Sequence, residues 1–312
     1  MKVFALDEFG KPGSVQDLPV PDPAEGEVRV KVAAAAINPM DVFVTKGFLK
    51  DRAPYEFPIV PGMDLSGTVD AVGPGVNGFK IGDSVFGVVG KTTLGRGSVG
   101  EYVIASAGSI ANRPSGIGAI EAAAFPLAGV SAVQAVEAVD PKPGQTVLVV
   151  GAAGGVGSFA VQVLKANGAH VIAVAGPANA EYVKKLGADE VIDYTSQDVV
   201  AAVKAKHSAV DAIVDTVSTA EGLAPLTLLI REGGRVSSMR GAANAEELAK
   251  RNITGTNVRT RTTTESLNQL ARLVEAGKVK APHISTYPLE RAGEAIDKSA
   301  DGHARGKLVV TV

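Results

Sequence analysis

The fold class is indicated by one stretch of sequence, Thr146-Val-Leu-Val-Val-Gly-Ala-Ala-Gly-Gly-Val-Gly157. Its first five residues are a continuous apolar run, which is typical of a strand buried on both faces of a parallel sheet. Residues 156–167 follow with the pattern of a helix, which is expected to end at Gly168. A strand that passes through small residues directly into a helix predicts a turn that binds phosphate groups.

The small residues of this turn have separate tasks. Gly154 lets the backbone approach a pyrophosphate closely, and Gly157 lets the helix pack against the strand. Ala152 takes the place of the first glycine of the usual G-x-G-x-x-G pattern. At the helix start, backbone N–H groups and the positive end of the helix dipole face the phosphates. We therefore expect a dinucleotide site that includes Ala152, Gly154, Gly155, Val156 and Gly157, although a tight turn without a ligand is the alternative.

Strands alternate with helices on both sides of the turn. Further short strands are predicted at 171–175, 190–193, 212–215, 235–238 and 256–259, with helical stretches between them. This rhythm predicts an α/β fold with a right-handed, doubly wound parallel Rossmann sheet over residues 128–261. Residues 1–127 instead have short β-branched runs separated by Gly and Pro, and predict a mostly β domain to which residues 262–312 return.

The cofactor type depends on the end of the second strand of this sheet. In NAD-binding folds an acidic residue there accepts the ribose hydroxyls. This chain has Ala175-Gly-Pro-Ala-Asn179, with no acidic residue until Glu181. We therefore favour NADP(H), with Gly176 and Asn179 as candidate contacts. Either Lys184 or Lys185 could meet the 2′-phosphate, and an ordinary exposed lysine is an equal alternative.

The composition excludes several other functions. The chain has no Cys, which rules out disulfides, thiolate catalysis and cysteine-based zinc sites. Its four histidines are scattered without metal-ligand spacing, so no metal is expected. A net charge of -2 gives no support for a nucleic-acid partner. Neither a signal peptide nor a membrane span is predicted, so a cytoplasmic protein is expected.

Motifs along nearly the whole chain resemble one known family. These are Val30-Lys-Val-Ala-Ala-Ala-Ala-Ile-Asn-Pro-Met-Asp41, Pro58-Ile-Val-Pro-Gly-Met-Asp-Leu-Ser-Gly-Thr-Val69 and Ala124-Phe-Pro-Leu-Ala-Gly-Val-Ser-Ala132. Together with the glycine turn, they are similar to the quinone oxidoreductase and enone reductase branch of the medium-chain dehydrogenase/reductase superfamily. The resemblance implies a GroES-like catalytic domain beside the Rossmann domain. Zinc-containing members have a His where this chain has Met63, so the resemblance implies a zinc-independent enzyme.

The resemblance also suggests site residues. Asn38 is implied as the catalytic residue, because its amide can donate to a substrate carbonyl; a simple Asn-Pro turn is the alternative. Phe43 and Leu49 are implied to line an apolar substrate pocket. Arg305 and Lys307 are weaker candidates that could reach back to the cofactor. The further cofactor contacts implied are Ser131, Tyr194, Thr216, Val217, Ser237 and Ser238.

The function implied is hydride transfer from NADPH to a quinone or α,β-unsaturated carbonyl. The alternative is an NADPH-binding sensor or structural protein with little catalysis, since a fold does not guarantee activity. A small molecule is the expected substrate. A dimer or tetramer is also expected, joined through the edge strand near residues 256–259.

Overall fold

The computed structural model describes residues 1–312, which form two compact units. The β-rich unit comprises Met1–Leu127, Thr262–Glu275 and Ala281–Val312, and the α/β unit comprises Ala128–Arg261 and Ala276–Lys280. The sequence analysis places residues 276–280 with the tail, whereas the structure groups them with the α/β unit. The Gln162 side chain explains the difference, because its Nε2 donates to the Lys280 carbonyl and its Oε1 accepts from the Lys280 N–H.

The β-rich unit begins with nine strands and two short helices. The strands are β1 (Lys2–Ala5), β2 (Ser14–Asp17), β3 (Glu27–Ile37), β4 (Tyr55–Val60), β5 (Asp64–Val72), β6 (Ser84–Val88), β7 (Leu94–Arg96), β8 (Tyr102–Ser106) and β9 (Ile110–Asn112). The helices are α1 (Pro39–Thr45) and α2 (Ala119–Ala123). A 3₁₀ turn, Ala107–Ser109, connects β8 to β9.

The α/β unit contains most of α3 and then alternates strands with helices. The helices are α3 (Pro126–Val139), α4 (Gly155–Ala166), α5 (Ala180–Lys185), α6 (Val199–Lys204), α7 (Ala220–Thr227) and α8 (Ala245–Ala249). The strands are β10 (Thr146–Val150), β11 (His170–Val174), β12 (Glu190–Ile192), β13 (Val210–Asp215), β14 (Ile230–Ser238) and β15 (Thr254–Asn257). A 3₁₀ turn, Pro177–Asn179, precedes α5.

The tail returns to the β-rich unit. It contains α9 (Thr264–Glu275), β16 (Ile284–Pro288), the 3₁₀ turn Leu289–Arg291, α10 (Ala292–Ala300) and β17 (Lys307–Thr311). Helix α9 buries Leu267, Leu270 and Ala271, which have the i, i+3, i+4 spacing of one helix face. None of the helices in the chain combines the length and the apolar character that a membrane crossing requires.

Strand β3 is the centre of the β-rich sheet. It pairs antiparallel with β5, with β8 and with β17, and the sheet order is β16-β17-β3-β5-β6-β9. The pairing Leu308↔Ile37 brings the start of β17 beside the end of β3. The sheet therefore places three chain segments at one point, because the start of β5 faces Ala36 of the same strand.

The second sheet has the order β12-β11-β10-β13-β14-β15, and all of its strands are parallel. The sequence prediction of a doubly wound parallel sheet is confirmed. Its central strand is buried from Val147 to Val150, as the apolar run predicts. Because the strands are parallel, the ends of β10 to β14 meet at one edge, where ligands bind in such folds.

Candidate active site

The glycine turn after β10 is the candidate cofactor region of the α/β unit. Gly151 has a φ of +79°, a conformation that favours glycine, and its carbonyl accepts from the Gly154 N–H over 3.1 Å. Gly154 then caps α4, and no side chain hydrogen-bonds to the start of this helix. The backbone N–H groups of the first turn of α4 are therefore left for water or for an anionic ligand.

Gly154 and Gly157 differ in their surroundings. A Cβ on Gly157 would overlap the Gly151 carbonyl and the Cα of Ala152, so α4 could not keep its close approach to the turn. A Cβ on Gly154 would meet only the Gly151 carbonyl oxygen, at an ordinary 3.5 Å. Gly157 is thus required for packing, whereas Gly154 leaves open space of the kind that a pyrophosphate needs.

Two residues after β13 contact the same turn. The Thr216 hydroxyl donates to the Val150 carbonyl over 2.8 Å and so joins the ends of β10 and β13. Thr216 and Val217 are also the nearest side chains to Gly151. Val217 is 48% exposed, so an apolar side chain faces solvent at the ligand-binding edge. The structure therefore brings the predicted residues Ala152, Thr216 and Val217 together.

The predicted serines have different environments. Ser238 donates to the buried carboxylate of Asp215 over 2.9 Å, so its hydroxyl already has a hydrogen-bond partner within the protein. The Ser237 hydroxyl is buried and has no hydrogen-bond partner. An unpaired buried hydroxyl is costly, but Ser237 is 0% exposed and offers no surface to a ligand. Ser131 lies on α3, buried, and its hydroxyl shares a 2.6 Å hydrogen bond with that of Thr260.

The other predicted cofactor contacts lie at the ends of β11 and β12. Tyr194 is 52% exposed, and its ring is the nearest group to Gly176. Asn179 ends the 3₁₀ turn that precedes α5. Of the two lysines named as phosphate partners, Lys184 forms a 3.1 Å ion pair with Glu181. This pair lies at the surface, so it neutralises the first acidic residue after β11 without fixing its position.

The β-rich unit has a candidate region of its own, which is a buried polar cluster. The Lys307 ammonium lies 3.1 Å from the Asp64 carboxylate and donates to the Asn38 Oδ1 over 2.5 Å. Asn38 Nδ2 donates to Asp64 over 2.9 Å. The side chains of Lys307 and Asp64 are 3% and 0% exposed, so this ion pair is fully enclosed. The ammonium of Lys307 is paired within this cluster, and a contact between Lys307 and the cofactor stays a prediction.

Asp41 supports the same cluster through the backbone. Its carboxylate accepts the Asn38 N–H over 2.8 Å and the Gly62 N–H over 2.9 Å. Burial raises the pKa of this carboxyl to about 7, although both backbone donors oppose the shift. The Asn38 N–H bond closes a capping box at the start of α1, which fixes Asn38 from its backbone side.

The Asn38 amide has less freedom than the resemblance suggests. Because lysine can only donate, Asn38 Oδ1 must face Lys307 and Nδ2 must face Asp64. The second amide hydrogen has only a long contact, 3.4 Å, to the Ala36 carbonyl. One donor is therefore firmly held inside the cluster and the other is weakly held.

The two predicted pocket residues have different environments. Phe43 on α1 is 41% exposed and its ring lies 5.8 Å from that of Phe48, which is 64% exposed. Leu49 instead packs, half-buried, against the core of the β-rich unit. The exposed pair is thus Phe43 and Phe48, and the sequence analysis missed Phe48. The signal that could have identified Phe48 is its position just after the short helix that contains Phe43.

Comparisons with known proteins identify the kind of fold. Residues 24–115 match the alcohol dehydrogenase GroES-like domain, and residues 186–310 match a family described as zinc-binding dehydrogenase. A chloroplast envelope quinone oxidoreductase homolog of Arabidopsis thaliana is 37% identical, over 94% of this chain and 92% of the relative. An NADPH-dependent alkenal/one oxidoreductase of the same plant is 30% identical, over 99% of this chain and 79% of the relative. The quinone oxidoreductase structure from Coxiella burnetii covers 100% of this chain and 99% of its own, with a TM-score of 0.89 and 32% identity.

Zinc does not fit the residues of this chain at the place where zinc-containing relatives hold it. Met63 offers only a thioether, and the chain has no Cys. Asp64 already has the buried Lys307 ammonium as its positive partner. The buried ammonium would repel a metal ion at this place, so these residues do not fit a zinc site.

Proposed function

The chain is an oxidoreductase of the medium-chain dehydrogenase/reductase superfamily, and we propose that it reduces quinones or α,β-unsaturated carbonyls with NADPH and without zinc. The observation that carries the proposal is the uncapped start of α4 behind the glycine turn, at the ligand-binding edge of the sheet. Relatives named as a quinone oxidoreductase homolog and an alkenal/one oxidoreductase support the class of acceptor.

Residues of the α/β unit would hold the dinucleotide. The N–H groups of Gly155, Val156 and Gly157 would bind the pyrophosphate, with Gly154 giving room for it. Thr216 and Val217 would border the adenosine. When bound, the nicotinamide supplies the hydride.

The absence of a carboxylate at the end of β11 supports NADPH over NADH. Gly176, Pro177 and Ala178 leave that place uncharged, so nothing repels a 2′-phosphate. Arg240 provides a cation at the same edge of the sheet, and its Nη1 donates to the Val217 carbonyl over 3.3 Å. We propose Arg240 as a further candidate for the phosphate, beside Lys184 and Lys185.

The acceptor would be a flat, conjugated molecule. Phe43 and Phe48 present exposed aromatic rings, which suit stacking or edge contacts with a planar carbonyl compound. Conjugation spreads the negative charge that develops on hydride transfer, so positioning matters more than a strong acid. We propose that Asn38 assists with its weakly held amide hydrogen, since the 3.4 Å contact to Ala36 is the one that a substrate oxygen could replace.

Steady-state NADPH oxidation tests the proposed function. A simple quinone and a simple enone are each offered with NADPH and then with NADH. We expect turnover with at least one acceptor, and a kcat/KM for NADPH at least about tenfold above that for NADH, equivalent to one charge-assisted contact to the 2′-phosphate. Equal use of NADH would remove the cofactor preference, and NADPH binding without turnover of any acceptor would favour a sensor.

We further propose a homodimer joined at β15. This strand is the outermost of the parallel sheet, so its outer backbone groups have no strand partner within the chain. Light scattering at micromolar concentration should give twice the chain mass of 31.7 kDa, and a stable monomer would contradict the proposal. A cytoplasmic location also stays a prediction.

A further inference from the structure

Three metal-ligand side chains meet at the opposite edge of the parallel sheet from the glycine turn. His170 begins β11 and Glu190 begins β12, two neighbouring parallel strands. His207 follows α6 and is anchored by its N–H, which donates to the Val203 carbonyl over 2.8 Å. The backbone thus fixes where all three side chains begin, and their positions do not depend on the proposed cofactor site.

Both histidine rings point to one carboxylate oxygen. Nε2 of His170 lies 3.0 Å from Glu190 Oε1, and Nε2 of His207 lies 2.6 Å from the same atom. One ligand atom from each residue lies within 4.8 Å of the others. Ligand atoms about 2.0–2.1 Å from a tetrahedral zinc ion are about 3.3 Å apart. Small rotations of these half-exposed side chains would therefore admit an ion.

The two nearest cations are not enclosed with the ligand atoms, because Lys206 is exposed and Lys165 forms a 2.8 Å ion pair with Asp189. Lys206 Nζ donates to Glu190 Oε2 over 3.1 Å, which leaves Oε1 as the ligand atom. The Asp189 carboxylate lies 3.7 Å from Nδ1 of His170. This distance is too long for a hydrogen bond, so Asp189 would have to move closer to act as the carboxylate partner that a metal-bound histidine commonly has.

We propose that His170, Glu190 and His207 bind one divalent transition-metal ion of the zinc class. Two imidazoles and one carboxylate form a donor set that zinc uses with a fourth position open to water. Imidazole nitrogen favours such borderline ions over Mg²⁺, which prefers oxygen ligands. The ion would join the starts of β11 and β12 to the turn after α6, and so stabilise this edge of the sheet without taking part in hydride transfer.

Zinc titration calorimetry tests the proposal. The full chain without a histidine tag is freed of metal with a chelator, which is then removed, and Zn²⁺ or Mg²⁺ is added as the only ligand. We expect one Zn²⁺ per chain, no comparable Mg²⁺ binding, and a rise of the unfolding temperature with Zn²⁺, because an ion that binds only the folded state stabilises it. Absence of stoichiometric Zn²⁺ binding would overturn the proposal.

Glutamine variants separate metal binding from hydrogen bonding. In His170→Gln and His207→Gln, the amide nitrogen can still donate to Glu190, but it is a poor metal ligand. We expect each variant to unfold at the same temperature as the unaltered chain when both are free of metal. Its Zn²⁺ affinity should fall by more than about tenfold, because a loss of that size is common even when only a residue hydrogen-bonded to a metal ligand is removed. His303→Gln is the matched control, because this exposed histidine lies outside the cluster and its Nδ1 contacts the Asp301 carbonyl. Equal Zn²⁺ affinity in all three variants would overturn the assignment.

Discussion

Replacing Lys307 by methionine is expected to lower the free energy of unfolding by about 3–5 kcal/mol. Methionine has a similar length but no charge, so the fully buried Asp64 carboxylate would lose its only cationic partner at 3.1 Å. Asn38 would also lose the donor to its Oδ1. Chemical denaturation, followed by circular dichroism at neutral pH, measures the change.

Two comparisons make this result specific to the buried pair. Lys298→Met removes an exposed ion pair with Asp301, and should change the stability by no more than about 0.5 kcal/mol. Adding Asp64→Asn to Lys307→Met should recover part of the loss, because the unpaired charge is removed. A Lys307→Met protein as stable as the Lys298→Met control would contradict the account of the cluster.

Two alanine substitutions in the glycine turn are expected to affect different properties, one the stability of the chain and the other its affinity for NADPH. Gly157→Ala should destabilise the chain by about 1–3 kcal/mol, because its Cβ would overlap the backbone of Gly151 and Ala152. Gly154→Ala should leave stability unchanged, since its φ of -77° suits alanine and its Cβ meets only an ordinary contact. The same Cβ would occupy the space for the pyrophosphate. We therefore expect NADPH affinity to fall about tenfold to a hundredfold, equivalent to one charge-assisted hydrogen bond.

The matched control for the turn is Gly78→Ala. A Cβ on Gly78 meets nothing within 4 Å, and the site lies in the β-rich unit. Both its stability and its NADPH affinity, measured by nicotinamide fluorescence, should equal those of the unaltered chain. A Gly154→Ala protein that binds NADPH normally would mean that the turn does not hold the phosphates.

The parallel sheet was predictable because its central strand carries a local signal. The apolar run Thr146–Val150 was placed with the bounds that the structure gives it. The alternation of Val with Arg and Lys predicts a half-exposed strand over Val28–Val32, yet β3 continues to Ile37. The missed part is a run of alanines, which have low intrinsic preference for strands. Packing against Ala123, Ala124 and Val309 holds this run in the sheet, and that contact is not visible locally.

The candidate site was less predictable, because its important features are tertiary. Lysine is almost never fully buried unless it is paired, so sequence alone suggests an exposed Lys307. Its partners come from β5 and from the residue after β3, which only the sheet pairing brings together. Likewise, Ser237 and Ser238 are neighbours in sequence, and nothing local indicates which hydroxyl the fold uses.

The histidines show the same limit. His170 and His207 are 37 positions apart and have no metal-ligand spacing, so the sequence analysis treated them as scattered. Parallel strand pairing places His170 near Glu190, and the turn after α6 adds His207. A cluster made from three separate elements has no short motif by which it could be recognised.

Isotope transfer from the cofactor to an enone directly tests whether the chain transfers hydride from NADPH to an acceptor. The chain is incubated with NADPH deuterated at C4 of the nicotinamide, using each of the two stereoisomers, and a simple cyclic enone. The account predicts a saturated ketone that carries one deuterium at the carbon β to the carbonyl, from one stereoisomer only, with the α proton taken from water. Bound NADPH without deuterium transfer to the enone from either stereoisomer, and without oxidation by a quinone, would contradict it.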